Sequence, residues 1–130
     1  MKKFIIILFL LVFITSCDPP HNINFINNTE NITKVKFNLN PKVQNYSLNQ
    51  ISKGDSVVFN LKPKDTLNIS FGIGTWSNVE IKELTNSIKN LEIETNDIKT
   101  IYKTKKSIYK ILIDNRKGVW FKTNIEVEIK

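Results

Sequence analysis

The stretch Thr33-Lys34-Val35-Lys36-Phe37-Asn38-Leu39 alternates between side chains suited to a core and side chains suited to water. A period of two residues is typical of a β-strand with one buried and one solvated face. Outward from this stretch the same alternation recurs in segments 57–62, 67–73, 91–94 and 125–130. The sequence therefore predicts a protein built mainly of half-buried strands.

Turn-forming residues separate these segments. Asn, Asp, Gly and Pro cluster at 40–41, 53–55, 63–65 and 115–118, and turns spaced mostly by about eight to fourteen residues are typical of sandwiches rather than of alternating strands and helices. We therefore predict an all-β fold, an antiparallel β-sandwich of about seven to nine strands, immunoglobulin-like or related.

One segment departs from the alternation. Ser77 and Glu80 have the spacing of a helix capping box. The apolar residues that follow lie at helical spacing: Ile81, Leu84, Ile88 and Leu91. We expect one short helix within residues 78–89.

Length and composition limit the classes of protein that this chain can represent. Its 130 residues allow one compact domain and exclude a multi-domain enzyme. The formal net charge is +7, but Arg116 is the only arginine and alanine is absent. A surplus of Ile, Asn and Lys is what an AT-rich genome produces, so the basic charge alone does not indicate a nucleic-acid ligand.

The amino terminus has the pattern of an export signal. Met1-Lys2-Lys3 supplies positive charge, and an unbroken apolar run follows from Phe4 to Ile14. Eleven helical residues reach about 16 Å, roughly half of a hydrocarbon core that is ~30 Å thick. The run is too short for a permanent membrane span, so we predict a signal peptide over residues 1–16.

The sequence Ile14-Thr15-Ser16-Cys17 resembles the lipobox of bacterial lipoproteins, in which a branched apolar residue, a variable one and a small one precede cysteine. The resemblance implies cleavage between Ser16 and Cys17, a diacylglyceryl group on the Cys17 sulfur and acylation of the new amino group. The lipid bilayer is then the first expected partner. Because Cys17 is the only cysteine, no intramolecular disulfide is available.

The residues after Cys17 predict a short spacer. We interpret 17–22 as the lipidated cysteine and a tether, and 23–130 as the folded domain. His21 is expected to be a solvated tether residue. A lone Asp18 before two prolines differs from the acidic cluster of surface-displayed lipoproteins of Bacteroidota. We therefore expect a periplasm-facing protein of the cell envelope. The outer membrane is favoured over the inner membrane, which stays open because an Asp directly after the cysteine resembles the inner-membrane retention signal of enterobacteria.

Two pairs of carboxylates are candidates for catalysis. Glu92 with Glu94, and Glu126 with Glu128, share a strand face at about 6–7 Å, a separation that glycosidases use. Each pair, however, occupies the polar phase of a strand and is expected to be solvated. No nucleophile or metal-binding motif accompanies them, so we predict no catalytic residue, no metal, no cofactor and no enzyme activity.

A stretch rich in lysine and tyrosine follows the fourth alternating segment. We interpret it as a solvated face. The alternative is a contact with an anionic partner, namely a lipid headgroup, lipopolysaccharide or an acidic protein, and export argues against nucleic acid. Its members are Lys99, Tyr102, Lys103, Lys105, Lys106, Tyr109, Lys110, Arg116 and Lys117.

Large aromatic residues outside the alternation are candidates for partner contacts. Trp76, in a loop next to Gly74, is either an exposed partner contact or a core plug at one end of the sandwich. Trp120 and Phe121 are adjacent, so on a strand they would point to opposite faces and one of them would need a cover.

Two triplets resemble the O-glycosylation sequence of exported Bacteroidota proteins. They are Asp55-Ser56-Val57 and Asp65-Thr66-Leu67. The resemblance implies modification at Ser56 and Thr66. The alternative is a turn aspartate that opens a strand.

Together these patterns predict a membrane-anchored, non-catalytic binding module of the cell envelope whose partner is a protein. An immunity or inhibitor lipoprotein that neutralises a periplasmic toxin is one alternative, and a structural envelope component is another. A hydrolase that uses a Glu pair is the least favoured. The sequence leaves the oligomeric state open.

Overall fold

The computed structural model describes residues 19–118 and 120–130. Within them the chain forms eight strands and three helices. The strands are Pro20–Asn27 (β1), Thr33–Leu39 (β2), Ser56–Leu61 (β3), Thr66–Ile73 (β4), Ile88–Glu94 (β5), Lys99–Tyr102 (β6), Arg116–Lys117 (β7) and Asn124–Ile129 (β8). The helices are Tyr46–Ile51 (α1), Asn78–Ser87 (α2) and Lys105–Asp114 (α3).

The strands form two four-stranded sheets. Sheet A has the order β4-β1-β8-β7, and sheet B has the order β3-β2-β5-β6. The neighbours are antiparallel except β1 and β8, which run parallel with Ile23 opposite Ile125. The predicted sandwich-like arrangement is confirmed, and the eight strands of the described residues lie within the predicted range.

The strand order differs from that of an immunoglobulin-like sandwich, which was one form of the predicted fold. In the immunoglobulin fold the first two strands are neighbours in one sheet, whereas here β1 and β2 lie in different sheets. The parallel pair also departs from a purely antiparallel sandwich. Alternation along a strand specifies which face is buried but neither the neighbour nor its direction, so the sequence pattern fits either arrangement.

The two sheets share one core. Ile23 and Phe25 of β1 are buried on the inner face of sheet A, as are Val35 and Phe37 of β2 on sheet B. The rings of Phe25 and Phe37 meet edge to face with centroids 5.7 Å apart. The alternation in β2, which decided the predicted class, therefore corresponds to observed burial.

Helix α2 lies within the predicted segment and has the predicted cap. The Ser77 side chain accepts a hydrogen bond from the Glu80 backbone, and the Glu80 carboxylate accepts one from the Ser77 backbone. Ile81 and Leu84 face the core. Ile88, which continues the helical spacing, instead begins β5.

Helices α1 and α3 were not predicted. Helix α3 occupies the lysine-rich stretch, where Ile108 and Leu112 supply the buried stripe and Thr104 caps the amino end. A Thr cap followed by apolar residues four apart was a readable signal. The high lysine content of the stretch is also typical of a solvated face, so the helix signal was not decisive.

The expected tether is also corrected. Strand β1 begins at Pro20, three residues before the expected domain boundary at residue 23. His21 is buried at 6% exposure rather than solvated. Proline is tolerated as the first residue of a strand, so the two prolines did not prevent strand formation.

Candidate functional site

Three chain segments meet at one end of sheet A, which we call the Pro19 end. Because β1 and β8 are parallel, the residues before each strand lie at the same end of the sheet. Backbone hydrogen bonds connect the segments: Gly74 N–H to Pro19 O (3.1 Å), Trp76 N–H to Lys122 O (2.6 Å) and Asn22 N–H to Thr123 O (3.2 Å). The start of the described chain is thus held against two loops.

An aromatic cluster fills the interior of this end. The His21 ring lies 3.8 Å from the Trp76 ring, centroid to centroid, and Phe71 lies 5.1 Å from Trp76. Trp76 is 3% exposed, and its indole N–H donates to the Asn22 carbonyl at 2.9 Å. The interpretation of Trp76 as an exposed partner contact is therefore wrong, and the core-plug alternative describes its position.

Burial controls the protonation of His21. Desolvation lowers the pKa of the imidazole, although the nearby Glu80 carboxylate and the Phe71 backbone act in the opposite direction. Within the described residues His21 Nε2 has no hydrogen-bond partner. The ring is therefore held as a neutral aromatic side chain, and its neighbours Phe71 and Trp76 form no metal-binding set.

A small cavity of about 170 Å³ opens beside this cluster, lined among others by Tyr46, Glu80 and Glu83. The Glu80 carboxyl is committed to the cap of α2: although burial raises its pKa, the hydrogen bonds from Ser77 dominate and the net pKa is lowered.

The loop before β8 presents two aromatic side chains to solvent. Trp120 is 91% exposed and Phe121 is 66% exposed. Gly118 has φ of 145°, and a Cβ there would lie 1.7 Å from the Phe121 carbonyl oxygen. Only glycine permits this close approach. The sequence analysis considered these two aromatics as strand residues. The structure instead places them in the loop between β7 and β8.

A second concave feature lies between α2 and α3. The two helices are antiparallel neighbours, because Lys105 at the start of α3 contacts the end of α2 while Arg116 after α3 contacts Asn78 at its start. The groove has a volume of about 380 Å³. Its lining is Lys82, Thr85, Asn86, Lys105, Lys106 and Tyr109.

Lys105 has a structural role in this groove. Its ammonium donates to three carbonyl oxygens at the carboxyl end of α2: Thr85 (3.0 Å), Asn86 (2.8 Å) and Ile88 (2.9 Å). Burial lowers its pKa. Within the described residues, the ammonium groups of Lys82 and Lys106 make no ion pair, so these two cations face the groove uncompensated.

The remaining members of the lysine-rich stretch do not form one face. Lys99 lies on β6 and pairs with Glu92 at 3.0 Å, and Lys110 on α3 pairs with Asp114. Arg116 donates to the carbonyl of Trp76 at 3.1 Å. These contacts stabilise local structure, whereas Lys103 and Lys117 are exposed outside the groove.

Glu92 and Glu94 belong to a charge ladder on the outer face of sheet B. Hydrogen bonds from Lys99 to Glu92 and from Lys34 to Glu94 lower the pKa of both carboxyls. A glycosidase needs one carboxyl whose pKa is raised so that it can donate a proton. Glu126 and Glu128 lie on the outer face of sheet A, beside Asn24 and Ile26 of β1.

Ser56 and Thr66 each open a strand directly after a turn aspartate. Thr66 is exposed at the first position of β4, and its backbone N–H donates to Asp65 at 2.9 Å. Ser56 is half-buried at the first position of β3. The hydroxyl of Thr66 is thus the more accessible of the two.

Cys17, Ser16 and Asp18 lie outside the described residues. No helix in the described part of the chain has the length and apolar character needed to cross a membrane. The same part contains no cluster of His, Cys, Asp and Glu able to hold a metal ion.

Comparison of the chain with models of known protein families, with curated proteins and with solved structures gave no match.

Sequence reasoning missed Lys82 and did not separate the roles of Lys105 and Lys106. Lys105 and Lys106 were identified as basic, but their different roles depend on the position of α2. Lys82 was not considered, because it lies far from the lysine-rich stretch in sequence. Its position one residue after Ile81, on the solvated side of a predicted helix, was the only available signal.

Proposed function

We propose that this chain is a lipid-anchored, non-catalytic binding module of the cell envelope. The observation that carries the proposal is the lipobox-like Ile14–Cys17, which stands two residues before Pro19, where the described domain begins. Consecutive Cα atoms are about 3.8 Å apart, so the Cα atoms of Cys17 and Pro19 can be at most about 7.6 Å apart. An acylated Cys17 would hold the Pro19 end close to the bilayer.

The proposed location is the periplasmic side of the envelope, with the outer membrane favoured. Asp18 is followed directly by Pro19 and Pro20, without the acidic cluster that accompanies surface display. Acyl chains contribute about 0.8 kcal/mol per buried CH₂, and more than one chain gives stable anchoring.

The anchor is tested in the native host by mass spectrometry of the amino-terminal peptide and by membrane fractionation. The wild-type chain is expected to begin at Cys17, to carry acyl groups and to sediment with membranes. A Cys17→Ser variant is expected to keep its leader or to be released. An intact leader or an unacylated Cys17 in the wild-type chain would refute the proposal.

The proposed partner is a protein that presents an acidic segment to the groove between α2 and α3. Lys82 and Lys106 supply charge there, and Tyr109 supplies an amphipathic ring of the kind favoured in interfaces. On α2 the groove is lined by Lys82, Thr85 and Asn86, which lie about 6–12 Å along this helix from its start beside the Pro19 end. It is therefore accessible from the side away from the proposed anchor.

The partner is tested by charge reversal. Full-length chain, solubilised from membranes, is expected to co-purify with an envelope protein in a salt-sensitive manner, because exposed charge pairs are screened. The double variant Lys82→Glu/Lys106→Glu is expected to abolish the co-purification. The control variant Lys42→Glu/Lys53→Glu makes the same change in net charge at exposed positions outside the groove. It should still co-purify with the envelope protein. Equal loss in both variants would refute the groove as the binding site.

An inhibitor or immunity lipoprotein is the narrower version of the same proposal, with the acidic segment belonging to a toxin. A toxin gene next to this one would support it, and a housekeeping neighbourhood would argue against it.

A structural envelope component is the alternative from a different class. The observation that favours it is the edge of β8: β7 pairs only with Asn124 and Ile125, so in the described residues the rest of β8 has a strand neighbour, β1, on one side alone. Strand edges without a partner can pair with another chain. A strictly monomeric full-length chain in detergent, measured by light scattering, would argue against this role.

A further inference from the structure

The two exposed aromatics of the loop before β8 lie at the Pro19 end. Strand β1 and strand β8 run parallel, so the loop that leads into β8 is brought beside the start of β1. The hydrogen bonds from Asn22 to Thr123 and from Trp76 to Lys122 fix that position. Trp120 and Phe121 thus lie in a loop that is held beside the start of the described chain at Pro19, although about 100 residues separate them from Pro19 in sequence.

The loop holds these side chains outward. The close approach of Gly118 to the Phe121 carbonyl defines a tight turn, and Trp120 is the most exposed of the large hydrophobic residues in the described chain. Ile73, opposite Pro20 across β1 and β4, adds a further apolar side chain with 68% exposure at the same end. Large apolar side chains exposed at one end of a molecule are typical of a contact surface.

Cations flank the aromatic residues. Lys117 and Lys122 are exposed on the two sides of the tip, and within the described residues neither makes an ion pair. Arg116 is committed to the Trp76 carbonyl and to Asn78. Glu80, the carboxylate whose charge acts on His21, is committed to Ser77. The charge that the loop offers to a ligand is therefore positive.

Tryptophan beside lysine is the composition of a surface that contacts a membrane interface, since the indole prefers the headgroup level and the ammonium attracts anionic lipids. We propose that Trp120 and Phe121, flanked by Lys117 and Lys122, form a second, non-covalent contact with the bilayer in which Cys17 is anchored. The inference rests on the proposed lipid anchor. It adds an orientation: the Pro19 end faces the lipid, and the groove between α2 and α3 lies away from it.

The experiment uses lipid-side quenching of tryptophan fluorescence. Full-length acylated chain is reconstituted into vesicles of phosphatidylethanolamine and phosphatidylglycerol, with and without brominated phosphatidylcholine, whose bromines quench on near contact. The wild-type chain contains Trp120 and the buried Trp76. We expect its emission to fall with brominated lipid, and to fall clearly more than that of a Trp120→Ser variant, in which only Trp76 emits.

A far-end reporter is the matched control. Ile98 is 62% exposed in the turn between β5 and β6, next to the start of β2 at the opposite end of the sandwich. Strand β1 has eight residues, and a strand of that length spans about 26 Å. A Trp120→Ser/Ile98→Trp variant should show no more quenching than Trp120→Ser alone.

The outcomes distinguish the inference from the anchor. Acylation of Cys17 is read from the mass spectrum of the same preparations. If Cys17 is acylated and the wild-type chain and the Trp120→Ser variant are quenched equally, the second contact is refuted while the anchor stands; coverage of the tip by a protein or a second copy would give this result. An unacylated Cys17 refutes the anchor itself. Circular dichroism of each variant establishes that the fold is kept.

Discussion

The neutral state of His21 makes stability depend on pH at mildly acidic values. Burial lowers its pKa below the ordinary value of 6.5, so the folded chain binds fewer protons than the unfolded chain. This contribution to the free energy of unfolding is complete above pH 6.5. It is lost as the pH falls from there through the folded-state pKa.

We therefore expect the urea midpoint to fall between pH 7.5 and pH 5.5 in the wild-type chain, and to fall less in His21→Phe. The carboxyls of Glu80, Glu92 and Glu94 have lowered pKa values, so their contributions to stability stay constant until the pH falls below 4.5. They therefore add nothing to the change in stability between pH 7.5 and pH 5.5. Equal pH dependence in the two chains would contradict the burial argument.

Lys105 stabilises the carboxyl end of α2, and its neighbour provides the control. Lys105→Met keeps the aliphatic stem but removes the donor to three carbonyl oxygens. Water can replace part of that contact, so we expect a loss of about 1–2 kcal/mol in urea unfolding. Lys106→Met removes an exposed ammonium and should change stability by less than about 0.5 kcal/mol. Similar losses in both variants would contradict the assigned role.

At the scale of elements, helix α2 depends on its cap. Ser77→Ala removes the side-chain acceptor for the Glu80 N–H, and loss of such a cap costs about 1 kcal/mol. Ser77→Thr retains a hydroxyl and should cost only a few tenths of a kcal/mol. Guanidinium or urea unfolding of the two variants measures the difference. A Thr variant as unstable as the Ala variant would indicate that packing, not capping, sets the stability there.

The predictability of the elements followed the strength of the local pattern. Strand β2 and helix α2 carry regular periodicity and a readable cap, and both were predicted. Helix α3 carries the same kind of signals, a Thr cap and apolar residues four apart, but its many lysines are equally typical of a solvated strand face. Strand β1 was placed too late because two prolines suggested a spacer. The local pattern omits the pairing with β4 and β8 that makes Pro20–Asn22 part of a sheet.

At the scale of the whole molecule, the two sheets should be energetically coupled through Phe25 and Phe37. We expect Phe25→Leu and Phe37→Leu to show a coupling free energy of about 0.5–1.5 kcal/mol in a double-mutant cycle, because edge-to-face aromatic pairs contribute that much beyond buried area. Phe25→Leu combined with Phe121→Leu, an exposed position, should be additive. Additivity in both cycles would contradict face-to-face packing of the sheets at this contact.

The amino-acid sequence alone was enough to specify the apolar faces of the strands and the position of α2, because each depends on a few consecutive residues. The parallel pairing of β1 with β8 is visible only in the folded chain. It places the loop of Trp120 beside the start of β1, where Trp76 packs against His21. An alternation of period two has no direction and names no partner. Neighbours are selected by the packing of distant segments into one core, and this selection placed the exposed and buried tryptophans at the same end of the molecule.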